Sequence, residues 1–280
     1  MGKLLGFIGR IAEEPPFRLL TRAVLKTLPV SARTKARWDI APRPQYLAGV
    51  LAAADEAARE GVREISVYEF GVAGGNGLLA LGDCAAEVQE ETGIKIAVYG
   101  FDSGRGLVEL TGDYRDHPDE WQPGDYPMNE DALRKRLRPN TTLVIGPVSQ
   151  TVPKHIPKIP EPIGFVSVDV DTYSATQDVL RMFTLPGTRM LRRVVIYCDD
   201  VDLMFNHKFA GELFAIREFN LSNEKVKIDR WRSIRKQRPF PEESWLGRMF
   251  IAHHVEAISN YHPDRAVKVI TVEDTTGATG

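Results

Sequence analysis

The sequence predicts an α/β fold: a doubly wound, mostly parallel seven-stranded sheet with an antiparallel C-terminal strand, preceded by a helical N-terminal extension. Three observations predict it. Short β-rich runs alternate with helical segments from about residue 61 onward, which implies right-handed crossovers and a sheet covered on both faces. The first of these runs passes at once into a glycine-rich turn that opens a helix. Two further strand runs, Val226–Trp231 and Met249–His253, then occupy the last third of the chain. The architecture these imply is Rossmann-like.

Taken in order, residues 1–40 read as two helical pieces punctuated by Pro15-Pro16 and Pro29. Pro42 and Pro44 start a helix to about Glu60, with Leu47, Val50, Leu51, Ala54 and Ala58 on one face and Gly61 closing it. Ile65–Phe70 is a strand, Gly77–Glu91 a helix ending at Gly93, and Ile94–Phe101 a second strand. Ala132–Leu137 lies in a helix, followed by strands Thr142–Ile145 and Ile163–Val168. Helix Ser174–Phe183, strand Arg193–Tyr197 and helix Phe209–Phe219 follow. The expected division is a helical extension or lid over 1–60, a catalytic domain over 61–270 and a flexible tail over 271–280. Ser103–Met128 breaks the alternation. Long aperiodic loops inside a compact domain are usually functional or disordered, and Tyr114, Trp121 and Tyr126, stiffened by Pro118, Pro123 and Pro127, point to an ordered cover over a site.

Composition narrows the partners. The 280 residues carry 36 Lys+Arg against 38 Asp+Glu, a formal charge of −2. That balance argues against nucleic acid or an anionic membrane surface. A local basic run (Arg18, Arg22, Lys26, Arg33, Lys35, Arg37, Arg43) is read as a solvated helix face rather than a binding patch. Cys84 and Cys198 alone make neither a disulfide framework nor a zinc site. Arg10, Glu13 and Glu14 interrupt the N-terminus too early for a signal-peptide core, and no apolar run approaches a membrane span. A cytoplasmic, soluble protein is expected, with a homodimer as the expected assembly.

The segment Glu69-Phe-Gly71-Val-Ala-Gly74-Gly75-Asn-Gly77 follows a strand and opens a helix, the place where a doubly wound sheet binds ligands. Its spacing is not G-x-G-x-x-G, which argues against a nicotinamide-dependent oxidoreductase. Glu69 would repel a pyrophosphate but suits a cationic amino-acid end. Asp102, at the end of the adjacent strand in Gly100-Phe-Asp102-Ser103, is placed to accept both ribose hydroxyls. A nucleoside with an amino-acid arm describes S-adenosylmethionine. Two capping acids on an ordinary glycine turn are the blander alternative, and a non-catalytic module that binds the same cofactor is another.

Val168-Asp169-Val-Asp171 and Cys198-Asp199-Asp200 close two further strands. Four carboxylates at one sheet edge call for a cation or for protons, and hard oxygen ligands suit Mg²⁺. Beside a methyl donor, such a cation would orient a substrate's hydroxyl oxygens. The competing reading has Asp171 capping the helix near Ser174 and Asp200 starting the next turn; a cap explains one acid per pair.

Together, Glu69–Gly77, Gly100–Ser103, Asp113-Tyr114-Arg115, Gly146 with Thr151-Val-Pro153, Asp169-Val-Asp171-Thr-Tyr173-Ser-Ala-Thr176 and Asp199-Asp200 resemble the macrocin O-methyltransferase family, a class I S-adenosylmethionine-dependent group that methylates sugar hydroxyls in antibiotic assembly. The resemblance spans about residues 64–220. It implies that Glu69, Gly71 and Gly75, with Gly74 and Gly77 of the same turn, take the methionine end. Asp102 and Ser103 would take the ribose, Gly146, Val148 and Ser149 would lie near the adenine, and Asp169, Asp199 and Asp200 would hold the metal, with Asp171 beside them. Ser174 stands where the family has an acid, Ala73-Gly74 replaces bulkier residues, and the N-terminal extension and Arg230–Pro241 match nothing in the family.

The expected catalytic residues are Asp169, Asp199 and His207, the last as general base because histidine titrates near working pH. His253-His254 is read as a structural pair, one buried and one exposed. Cys198 is read as a buried strand-end thiol. The expected substrate is a small hydroxyl-bearing molecule.

Overall fold

The computed structural model describes residues 13–107, 109–110, 112–236 and 238–260. The expected tail over 271–280 lies outside the described residues. Seven strands form one sheet: β1 (Glu64–Phe70), β2 (Lys95–Asp102), β3 (Thr141–Ile145), β4 (Ile163–Val168), β5 (Met190–Cys198), β6 (Val226–Arg230) and β7 (Met249–His254). Their order is β3-β2-β1-β4-β5-β7-β6. β1 to β5 pair in parallel, while β7 runs antiparallel to both β5 and β6. The Rossmann-like sheet and its antiparallel C-terminal strand are as the sequence predicts.

The helices among the described residues include α1 (Phe17–Leu25), α2 (Ala32–Arg37), α3 (Pro44–Glu60), α4 (Asn76–Thr92), α5 (Glu130–Arg134), α6 (Val148–His155), α7 (Tyr173–Leu180), α8 (Gly211–Ser222) and α9 (Val255–Ser259). α2, α3 and α4 pack together on one face, and α6, α7 and α8 on the other. β1 is buried from Ile65 to Phe70, which explains its lack of polar alternation. Tyr68 stacks on Tyr99 and Phe70 on Phe101 across the β1–β2 register. α6 was not expected, because Pro153 sits inside it and its run is polar. α3, placed by the sequence in the extension, covers β4 and β5 directly. A Cβ on its Gly49 would lie 2.3 Å from the Phe165 ring.

Much of the basic run is paired with acids, while Lys26 is exposed and Arg33 and Arg37 stay about half exposed. Arg18 and Arg22 of α1 pair with Glu242 and Glu243 and stack on Phe240; Arg33 pairs with Asp55 and Lys35 with Glu87. The two segments without a family counterpart, the extension and Arg230–Pro241, are thus each other's partners. Arg238 completes that contact with an ion pair to buried Asp39 at 3.2 Å. His253 and His254 are both half-buried instead of alternating; His254 is already the N-cap residue of α9, where the strand ends.

Candidate active site

Strand order reverses between β1 and β4, and the cleft opens at that switch point, over the carboxyl ends of β1, β2, β4 and β5. Its volume is about 560 Å³, within the range of small-molecule sites.

The glycine turn forms its floor. Gly71 (φ 84°) and Gly75 (φ 87°) adopt torsions a side chain resists. A Cβ on Gly71 would stand 1.6 Å from the Asp169 carbonyl, and one on Gly77 1.8 Å from Glu69 Oε1. Gly74 also lines the cleft, but nothing lies within 4 Å of where its Cβ would be. Three glycines are therefore required sterically, and Gly74 is not.

Glu69 is 1% exposed. Tyr46 of α3 donates its hydroxyl to Oε1 at 2.5 Å and accepts from Ser167 Oγ at 3.1 Å. Oε2 is buried with no hydrogen-bond partner among the described residues. Desolvation, with the charges of Asp169 and Asp102 nearby, pushes this carboxyl up to about 8. Such an orphaned acid wants a cationic donor.

Asp102 is occupied otherwise. Its Oδ2 accepts from the Val72 and Ala73 amides at 2.8 and 2.9 Å, and its Oδ1 from Gly104 N at 2.7 Å. The carboxylate binds the glycine turn to the start of the long loop, so its first role is to hold the floor in shape. Ser103 lines the cleft, with Oγ donating to the Gly106 carbonyl at 2.5 Å.

Of the four strand-end acids, three converge. Asp169, Asp171 and Asp200 each offer an oxygen within 4.8 Å of the others. Burial and mutual repulsion push all three up to about 7. Asp171 sits at φ 62°, in the left-handed region that few non-glycine residues adopt. It does not cap α7; Thr172 does, accepting from Ala175 N. Asp199 lines the cleft but lies outside the triad, since Tyr197 and Arg248 hold its Oδ1 at 2.5 and 3.1 Å. Behind the triad, Glu212 of α8 is fully buried and accepts from Asp200 N at 3.1 Å; desolvation and the Asp200 charge hold its carboxyl well above the usual range.

Other expectations are corrected. His207 is exposed and outside the cleft lining; its Nδ1 accepts from Phe209 N, and its ring stacks edge-on against His117. The turn after Asp200 carries it away from the site, so it is not placed as a general base. Val148 lines the cleft, whereas Gly146 and exposed Ser149 do not. Gly146 instead shapes the turn after β3 (φ 137°) and donates to the Asp102 carbonyl.

Described residues of the long loop lie over the cleft, where the sequence places a cover. Trp121 and Tyr126 line the cleft beside Leu107 and Asp125, while Tyr114 is 66% exposed and takes no part. Asp116 pins the loop by accepting from Ser174 N and Oγ, both at 2.7 Å. Ser174 stands where the resembled family has an acid, and here the acid comes from the loop. Cys198 is buried and desolvated, with its thiol far above the usual range.

Sequence reasoning missed Arg43, Tyr46 and Glu212. A signal existed: a helix that precedes the first strand runs antiparallel to it, so its first turn returns to the carboxyl edge of the sheet. α3 begins at Pro44, and Arg43 is the sole lysine, arginine or histidine among the described residues lining the cleft.

No family model matches the chain, and no curated protein matches it. Among solved structures it is similar to the calicheamicin methyltransferase CalS11, at 22% identity over 74% of this chain and 85% of that one, with a TM-score of 0.46. It is similar to TomG from Streptomyces achromogenes, an O-methyltransferase of tomaymycin synthesis solved with SAM, at 14% identity over 83% and 95%, TM-score 0.42. The SAH-bound methyltransferase PaMTH1 of Podospora anserina gives 12% identity over 90% and 95%, also with a TM-score of 0.42.

Proposed function

We propose that this chain is an S-adenosylmethionine-dependent methyltransferase that transfers a methyl group to a hydroxyl oxygen of a small molecule, a sugar or another natural-product intermediate, with a divalent cation, Mg²⁺, assisting. The observation that carries the reading is Glu69: a fully buried carboxylate with one unpartnered oxygen, lining the cleft beneath a turn whose glycines leave room for a ligand. An acid there suits an ammonium group and repels a pyrophosphate.

The residues fit both groups. Glu69 would hold the amino-acid end of the donor against Gly71 and Gly77, and Asp102, Ser103 and Val148, which line the same cleft, would face its nucleoside. The donor supplies an electrophilic sulfonium methyl when bound. Asp169, Asp171 and Asp200 form a hard, all-oxygen set that fits a divalent cation, and Asp200 Oδ2 is buried without a partner. A cation held there supplies Lewis acidity toward an acceptor hydroxyl. The chain itself aligns and excludes: Trp121 and Tyr126 cover the acceptor side and keep water out, and the floor fixes the donor so that attack is in line. With His207 outside the cleft lining, the carboxylates that line the cleft are the groups available to take the hydroxyl proton.

Calorimetry with S-adenosylhomocysteine, with and without MgCl₂, tests this. Saturable binding is expected. Absence of heat with that ligand, together with binding of a nicotinamide dinucleotide, would overturn the reading.

A further inference from the structure

We infer that Arg43 is the carboxylate reader of the cleft, so that Arg43 and Glu69 together select a zwitterionic α-amino acid end. The inference deepens the proposed donor assignment and rests on it.

An amino-acid arm brings two opposite charges into the site, and Glu69 answers only one. A ligand carboxylate entering a cleft lined by seven acids (Glu69, Asp102, Asp125, Asp169, Asp171, Asp199 and Asp200) would be expelled unless a cation met it. Arg43 lies among the same lining residues. Its guanidinium has no ion pair within 4.0 Å among the described residues, and its one hydrogen bond is a long 3.5 Å contact to Tyr46 Oη. Five donors in a planar fork are thus almost wholly uncommitted, and that fork matches a carboxylate in bidentate geometry. The other arginines of the basic run, Arg18, Arg22, Arg33 and Arg37, each pair with an acid of the protein.

The placement is built rather than incidental. Arg43 is the N-cap residue of α3, held between Pro42 and Pro44, and its guanidinium lies 5.2 Å from the Tyr46 ring centroid. Tyr46, one turn into the helix and fully buried, donates to Glu69. One aromatic ring therefore fixes both readers: its face carries the cation and its hydroxyl carries the anion. Burial works against the Arg43 charge, but Tyr46, Glu69, Asp169 and Asp199 outweigh it and hold the guanidinium protonated.

The test measures binding and needs no acceptor. Calorimetric affinities of S-adenosylhomocysteine, its decarboxylated analogue and 5′-methylthioadenosine are compared for the wild type, Arg43→Met and Arg43→Lys. The wild type is expected to lose roughly ten- to a hundredfold on removal of the ligand carboxylate. Arg43→Met should bind S-adenosylhomocysteine that much more weakly, bind the two amine-bearing ligands equally, and bind 5′-methylthioadenosine as the wild type does. Arg43→Lys should recover part of the discrimination. An Arg43→Met protein that keeps the wild-type preference for the carboxylate overturns the inference. One that weakens all three ligands equally overturns it too, since Arg43 would then only shape the fold. If the wild type binds none of the three, the donor assignment itself falls, a result distinct from either.

Discussion

Replacing Glu69 by glutamine removes the charge from the most buried acid of the cleft, and the structure sets the size and sign of the effect. Desolvation pushes the carboxyl up to about 8 in the folded protein, from an ordinary value of 4.5. Its folded value is raised, so between those two pH values the native state binds more protons than the unfolded chain. Stability is therefore lost as pH rises through this window, and the cost is complete above about 8. At 1.36 kcal/mol per unit, the shift corresponds to about 4–5 kcal/mol for an isolated group. The amide leaves a buried N–H unpaired where the acid left an oxygen, which returns about 1–3 kcal/mol. The Tyr46 hydroxyl can still donate to the amide oxygen. The amide cost does not depend on pH, so the expected result is a variant less stable than wild type by about 1–2 kcal/mol at pH 5 and more stable by about 2–3 kcal/mol at pH 8.5, the latter roughly 5–10 °C in Tm. Thermal denaturation followed by circular dichroism across that range reads it directly. Parallel pH profiles for the two proteins would refute the reasoning. On the proposed function, S-adenosylhomocysteine binding to the wild type at pH 7 should release a proton as Glu69 ionises, detectable by calorimetry in buffers of different ionisation enthalpy, and the variant should release none.

Three further outcomes follow from the geometry. Gly77→Ala places a Cβ 1.8 Å from Glu69 Oε1 and 2.8 Å from its Cδ, so it should cost about 1–3 kcal/mol in urea denaturation and at least tenfold in S-adenosylhomocysteine affinity; unchanged affinity would mean that the floor does not hold the ligand. Millimolar MgCl₂ should raise Tm at pH 7.5, by about 2.7 kcal/mol of stability at a hundredfold excess over Kd. Asp171→Asn and Asp200→Asn should abolish that rise while Asp199→Asn, whose carboxylate pairs with Arg248, retains it; an Asp199→Asn protein that alone loses the response would contradict the triad. Arg238→Met leaves Asp39, 3% exposed, without its ion-pair partner. A loss of about 3–5 kcal/mol is expected at pH 8, shrinking at pH 5, because desolvation already pushes Asp39 up to about 6; urea midpoints at the two pH values check it.

The sheet was legible because its signals are local. Ile65–Phe70 and Ile163–Val168 are apolar runs of strand length, and Gly61 and Gly93 end helices through left-handed backbone that only sequence-local sterics demand. The glycine turn and the acidic strand ends were legible for the same reason: position along a strand decides position at the sheet edge. What was not legible depends on where side chains turn after the edge. Asp199 and Asp200 are neighbours in sequence, yet one faces Arg248 and the other the triad, and Arg248 lies 49 residues away. Asp102 ends the predicted strand, but its oxygens go to amides of the adjoining turn. His207 was chosen by titration range, which says nothing about direction. Arg43 was counted within a charge run, and only the course of α3 brings it to the cleft. α6 was hidden by Pro153, which falls within its eight residues.

The clamp between Asp116 and Ser174 has a mechanical consequence. Ser174 lies three residues after Asp171, on the first turn of α7, and Arg115 braces the same turn through the Tyr173 hydroxyl at 2.9 Å. A cover bolted at that point cannot lift as a free flap. To swing, it must either break two short hydrogen bonds or drag the start of α7 and, with it, the strained hinge at Asp171. The position of the cover and the spacing of the acid triad are thereby tied to the same helix turn.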